Sequence, residues 1–119
     1  MDRISTYKEN AVTTRAPGRL IVLLYEGAIK FLRQAITALE AEDWAQKGIY
    51  INKALAILGE LDSALDMEAG GEVAENLRSL YLFSYKHLVE ANAKRDPQRI
   101  RDVISLLEEL NEGWKAISA

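Results

Sequence analysis

Apolar residues recur every three or four positions through most of this chain, with polar residues filling the gaps, which is the period of a helix rather than a strand. From Pro17 onward one row runs Leu20, Leu24, Ala28, Phe31, Ala35 and Leu39, with a neighbouring row at Ile21, Tyr25, Leu32 and Ile36. Proline suits a first helical turn, where its missing N–H costs nothing, so the pattern predicts a helix over about 17–41. Asp43 is placed to cap a second helix that starts at Trp44 and carries Ile51, Ala54, Leu58, Leu61 and Leu65 as its stripe. Gly70-Gly71 breaks the chain after it, giving a range of about 44–67. A third helix over about 72–94 turns Val73, Leu77, Leu80, Tyr81, Leu88 and Ala91 inward. Asp96-Pro97 is the sharpest start signal in the chain, a capping side chain followed by proline at the first helical position. The fourth helix, about 97–118, follows Ile100, Val103, Leu107, Leu110, Trp114 and Ile117.

Helices of about 22 residues rise about 33 Å each, and short connections make successive ones antiparallel. The expected fold is all-α: an up-down-up-down four-helix bundle over 17–119, preceded by an N-terminal arm over 1–16 with room for a short helix. The arm is polar and mixed, with only Ile4, Tyr7 and Val12 as scattered apolar side chains, and reads as something other than a core element.

One stripe per helix is enough to close such a bundle, and this chain has more. Ile49, Tyr50, Leu55 and Ile57 lie off the stripe of the second helix, Leu82, Phe83 and Tyr85 off that of the third, and Ile104 and Leu106 off that of the fourth. Two accounts stay open on periodicity alone. The extra residues widen the core, or they line exposed grooves that the arm covers until a partner displaces it.

Composition narrows the class of protein. At 119 residues the chain is one domain with no cysteine, so disulfides and thiolate metal sites are excluded and a reducing cytoplasm fits. The net charge is −3 with acids and bases interleaved, so neither nucleic acid nor an anionic membrane is an expected partner. Met1-Asp2-Arg3-Ile4-Ser5 leads into no apolar stretch of the kind a secretion signal has, and no run reaches the roughly 18 apolar residues of a membrane span. Catalysis has little to work with. The lone histidine, His87, stands three residues before Glu90, the reverse of the Glu-x-x-His order of di-iron bundles, and one histidine cannot complete that site. Gly70-Gly71 and Gly18 neither follow a strand nor carry the Lys-Ser/Thr of a phosphate loop. The acids Glu40, Glu42 and Asp43, and Asp62, Asp66 and Glu68, read as helix ends and solvated flank. The chain is therefore expected to be a binding protein with no enzyme activity, no metal and no cofactor.

The residues at the element borders carry a resemblance. Tyr7, Asn10, Val12, Thr14 and Pro17, running into Leu20, Leu24, Tyr25, Gly27 and Ala28, are similar to the flagellar export chaperones of the FliS family. So are Lys53, Ala54, Ile57, Glu60, Leu61, Leu65 and Asp66, then Asn76, Leu77, Leu80 and Tyr81. The series continues with Leu88, Glu90, Ala91, Asn92 and Asp96, and ends on Leu106, Leu107, Leu110 and Trp114. The match covers about 4–116 in order and at matching spacing. One departure stands at the start of the first helix, where Ala16-Pro17-Gly18-Arg19 replaces the family's serine before the proline and acids after it. The resemblance implies a cytoplasmic chaperone that binds the disordered C-terminal segment of flagellin, prevents its premature polymerisation and delivers it to the flagellar type III export apparatus. On that reading Ile4, Tyr7 and Val12 form a cover locked by Asn10, and the groove is formed by Ile49, Tyr50, Ile57, Leu82, Tyr85 and Ile104. The chain would be a monomer or weak homodimer. The rival reading is a scaffolding bundle that self-associates through the same faces.

Overall fold

The computed structural model describes residues 13–118, and its core consists of four helices: α1 Gly18–Glu40, α2 Trp44–Ser63, α3 Gly71–Lys94 and α4 Pro97–Ser118. They form an antiparallel bundle in which each helix packs on its two neighbours, α1 closely against α2 and α4, and α3 less extensively against the same pair. The four seams share one rhythm. Ile21, Tyr25, Ala28, Leu32, Ala35 and Leu39 are buried on α1, and Lys47, Ile51, Ala54, Leu58 and Leu61 on α2. On α3 the buried row is Ala74, Leu77, Tyr81, Ser84, Leu88 and Ala91, and on α4 it includes Ile100, Val103, Leu107, Asn111 and Trp114. Steps of three and four average close to the 3.5-residue repeat that keeps a stripe facing its partner along a left-handed bundle.

The rotation of α1 differs from the row that starts at Leu20. The core takes Ile21, Tyr25 and Leu32 from the neighbouring row together with Ala28, Ala35 and Leu39 from the first, and Leu20 is 46% exposed. Tyr25 explains the choice: its hydroxyl is buried with that row and finds a partner in Tyr81 of α3, 2.7 Å away, whereas a leucine at the surface strands no polar group.

Helix starts follow capping chemistry. Asp43 accepts from the Gln46 N–H at 3.2 Å, and Asp96 accepts from the Gln98 N–H at 3.0 Å with Pro97 beginning α4. Pro17 stands at the cap of α1 instead of in its first turn, and its carbonyl takes the Leu20 N–H at 2.9 Å. Lys47, buried on α2, donates to the Asn92 carbonyl at 2.9 Å and so neutralises the carbonyl end of α3.

Helix α2 ends at Ser63, four residues short of the range its stripe predicts. The reason lies in the arm. Thr14 and Leu65 form an isolated antiparallel bridge, with the Arg15 N–H donating to the Ala64 carbonyl at 2.8 Å and the Asp66 N–H to the Thr13 carbonyl at 2.7 Å. Extended pairing with the arm replaces the last helical turn and satisfies carbonyls that a helix end leaves open. Leu65 remains buried but from outside the helix, and Thr13 and Thr14 are buried against the bundle beside it. Gly70 follows from the same packing. A side chain there would stand 2.7 Å from the Asp66 carbonyl, 2.8 Å from the Ala74 Cβ and 3.0 Å from the Thr13 Cα. The expected cover residues Ile4, Tyr7, Asn10 and Val12, and any short helix around them, lie outside the described residues.

Candidate functional site

Helix α3 carries a ridge of large apolar side chains that nothing among the described residues covers. Leu82, Phe83, Tyr85 and Val89 are each about half exposed (45–52%). Grooves lie on both sides of α3. Between α2 and α3 a groove of about 260 Å³ is lined by Leu58, Gly59, Asp62, Arg78, Tyr81, Leu82 and Tyr85. Leu58 and Tyr81 are buried and make its floor. An ion pair from Arg78 to Asp62, at 3.1 Å, marks its polar margin. Between α3 and α4 a second groove of about 380 Å³ is lined by Val73, Leu77, Leu80, Leu110, Gly113 and Trp114, with Asn76 and Glu109 at its edge.

Each groove has a helix-interior glycine in the wall opposite α3. A side chain at Gly59 on α2, or at Gly113 on α4, would meet nothing within 4 Å. Glycine inside a helix costs about 0.5–1 kcal/mol relative to alanine, and neither position needs it for a turn or a close approach. What the missing Cβ atoms provide is width. The weaker packing of α3 on α2 and α4 has the same effect.

A larger cleft lies elsewhere, between α1 and α4, at about 460 Å³. It is rimmed by Glu26, Lys30, Arg33, Glu108, Glu112 and Lys115, with Arg33 donating to Glu108 at 2.9 Å, and offers an apolar partner little to bury. His87 donates its Nε2–H to the Asp102 carboxylate at 3.1 Å and stacks on Phe83 at 5.0 Å, an ordinary surface pairing. Among the described residues no group of three histidine, cysteine or acidic side chains is placed to hold a metal, and no helix is long and apolar enough to cross a membrane.

Of the groove residues read from helical phase, Leu82 and Tyr85 line the α2–α3 groove. Ile49 is exposed but is not among the side chains lining it. Tyr50 and Ile57 turn the other way, toward α1. Tyr50 stacks on Phe31 at 6.4 Å beneath the Lys53 ammonium, and Ile57 fills the space left by Gly27, its Cδ1 3.4 Å from where a Cβ would stand. Ile104 is a correction: it is 7% exposed and part of the core, because α4 buries two adjacent residues, Val103 and Ile104, where its seam steps from three to four. Gly59 and Gly113 escaped the sequence reading, and Tyr81 and Trp114 were read as core seam residues rather than as groove floor. The signal available was two glycines in long helical patterns with no turn to justify them.

The family model described as flagellar protein FliS matches residues 1–119. The chain belongs to the FliS family. Flagellar secretion chaperone FliSB of Pseudomonas aeruginosa is 46% identical over 110 residues, covering 92% of this chain and 87% of that protein. Flagellar secretion chaperone FliS of Salmonella typhimurium is 40% identical over 111 residues, covering 92% and 82%, and its counterpart in Bacillus subtilis is 32% identical over 111 residues, covering 93% and 82%. The family is one of flagellar export chaperones rather than enzymes, which fits grooves lined by leucine, tyrosine and glycine.

Proposed function

We propose that this chaperone binds the C-terminal segment of flagellin in the two grooves that flank α3, with Leu82, Phe83, Tyr85 and Val89 as the ridge between them. Bound there in the cytoplasm, the segment is withheld from polymerisation until the complex reaches the flagellar export apparatus. The observation that carries the reading is the pair of apolar grooves, each widened by a glycine that the helix itself does not need. A disordered client loses much conformational entropy on ordering, so its affinity has to come from long apolar surfaces, and amphipathic helices fit grooves of this kind. No catalytic step enters: the work is burial of a surface that would otherwise find another flagellin.

Titration calorimetry of the full chain with a peptide of the flagellin C-terminal segment tests this. Micromolar or tighter binding that Gly59→Leu and Tyr85→Asp both weaken is the expected result. A peptide that binds equally well to the native chain and to both variants removes the grooves from the account.

A further inference from the structure

The two grooves open on opposite sides of α3, yet their floors meet behind it. Tyr81 lies in the floor of the α2–α3 groove and Trp114 in that of the α3–α4 groove. Both rings pack on Tyr25 of α1, which lines neither groove and is fully buried, with centroid distances of 6.4 Å to Tyr81 and 6.5 Å to Trp114. The Tyr25 and Tyr81 hydroxyls are 2.7 Å apart and share a hydrogen bond. The contacts run from Trp114 to Tyr25 by ring packing, and from Tyr25 to Tyr81 by ring packing and that bond, across the bundle from one groove to the other.

We propose that Tyr25 is a positioning residue for client binding, coupling the two grooves through Tyr81 and Trp114 so that they take up a client as one unit. The inference rests on the functional reading above, in which one client fills both grooves. Tyr81 does not move alone without breaking its buried hydroxyl pair with Tyr25, and Trp114 does not move alone without opening a gap against the Tyr25 ring. An apolar side chain seated on Tyr81 therefore fixes Tyr25, and with it Trp114. The second client segment meets a floor already held in place and loses less freedom in binding there. α3, the wall common to both grooves and the helix packed least closely, is the element whose position this network sets.

A double-mutant cycle on the full chain tests the coupling, with the whole flagellin C-terminal peptide as probe and dissociation constants from calorimetry. Gly59→Leu obstructs one groove and Gly113→Leu the other. With Tyr25 present, the two obstructions are expected to be non-multiplicative by about fivefold or more, the lower end of typical coupling between sites. In the Tyr25→Phe background the same two factors should multiply to within about twofold. Tyr81→Phe, which removes the other end of the same hydrogen bond, gives the same loss and serves if Tyr25→Phe does not fold. A purely structural role would weaken binding in every background and leave the ratio unchanged. Coupling that survives loss of the hydroxyl, or that is missing with Tyr25 present, overturns the inference. If the peptide does not bind the native chain at all, the functional reading itself falls.

Discussion

The hydroxyl oxygens of Tyr25 and Tyr81 stand 2.7 Å apart at the centre of the bundle, one on α1 and one on α3. Both side chains are almost wholly buried. Burial pushes the Tyr25 phenol above its ordinary value of 10.0, and does the same to Tyr81, where the neighbouring phenol adds to the effect. Below pH 10 both states of the protein hold these protons and stability does not depend on them. Above it the unfolded chain releases them while the folded protein keeps them, so stability falls as pH rises. The buried Tyr81 phenol should cost about 1.4 kcal/mol by one unit above its ordinary value, and Tyr25 adds to the loss in the same direction. Denaturant unfolding between pH 9 and 11 should show this loss, and Tyr25→Phe should reduce its slope.

Gly59 gives a stability effect and a binding effect of opposite sign. Gly59→Ala places a methyl group in open space within α2 and should stabilise the protein by about 0.5–1 kcal/mol. Gly59→Leu should fold equally well, yet it fills the α2–α3 groove and should weaken client binding by about tenfold, or 1.4 kcal/mol. Melting curves and calorimetry on the same samples check both.

Gly70 lacks that freedom. A methyl group there meets the Asp66 carbonyl, Ala74 and the Thr13 backbone, each at 3.0 Å or less. Gly70→Ala should cost about 1–3 kcal/mol in denaturant unfolding, the range for overpacking, by pushing apart the turn and the end of the arm.

The pattern of apolar residues alone sufficed for four helices, their order and the Asp43 and Asp96 caps, because caps and heptad steps are local in sequence. The end of α2 was not legible, since it is decided by Thr13–Arg15, some fifty residues earlier, which pair with 64–66. Helix rotation was legible to within about one position. Leu82 and Tyr85 do line a groove, whereas Ile104 is buried and Tyr50 and Ile57 face α1. The decisive information was in pairs across the bundle, such as Tyr25 with Tyr81, and no periodicity reports such a pair. Gly59 and Gly113 were visible but unread: a groove is made partly by absent side chains.

Tyr85 and Ile104 separate the open face from the core most cleanly. Tyr85→Asp, at a half-exposed position, should keep its helicity by circular dichroism and lose client affinity. Ile104→Ala should cost about 2–5 kcal/mol of stability at a site the client does not reach.

The central claim is that the grooves beside α3 hold the C-terminal segment of flagellin. Hydrogen exchange of the full chain with and without that peptide addresses it most directly, because it reads every backbone amide at once. Protection is expected to rise along α3 from 73 to 89 and on the facing turns of α2 and α4 around Gly59 and Gly113. The charged α1–α4 cleft around Arg33 and Glu108 should be unchanged. Protection confined to that cleft, with α3 unaffected, would contradict the account.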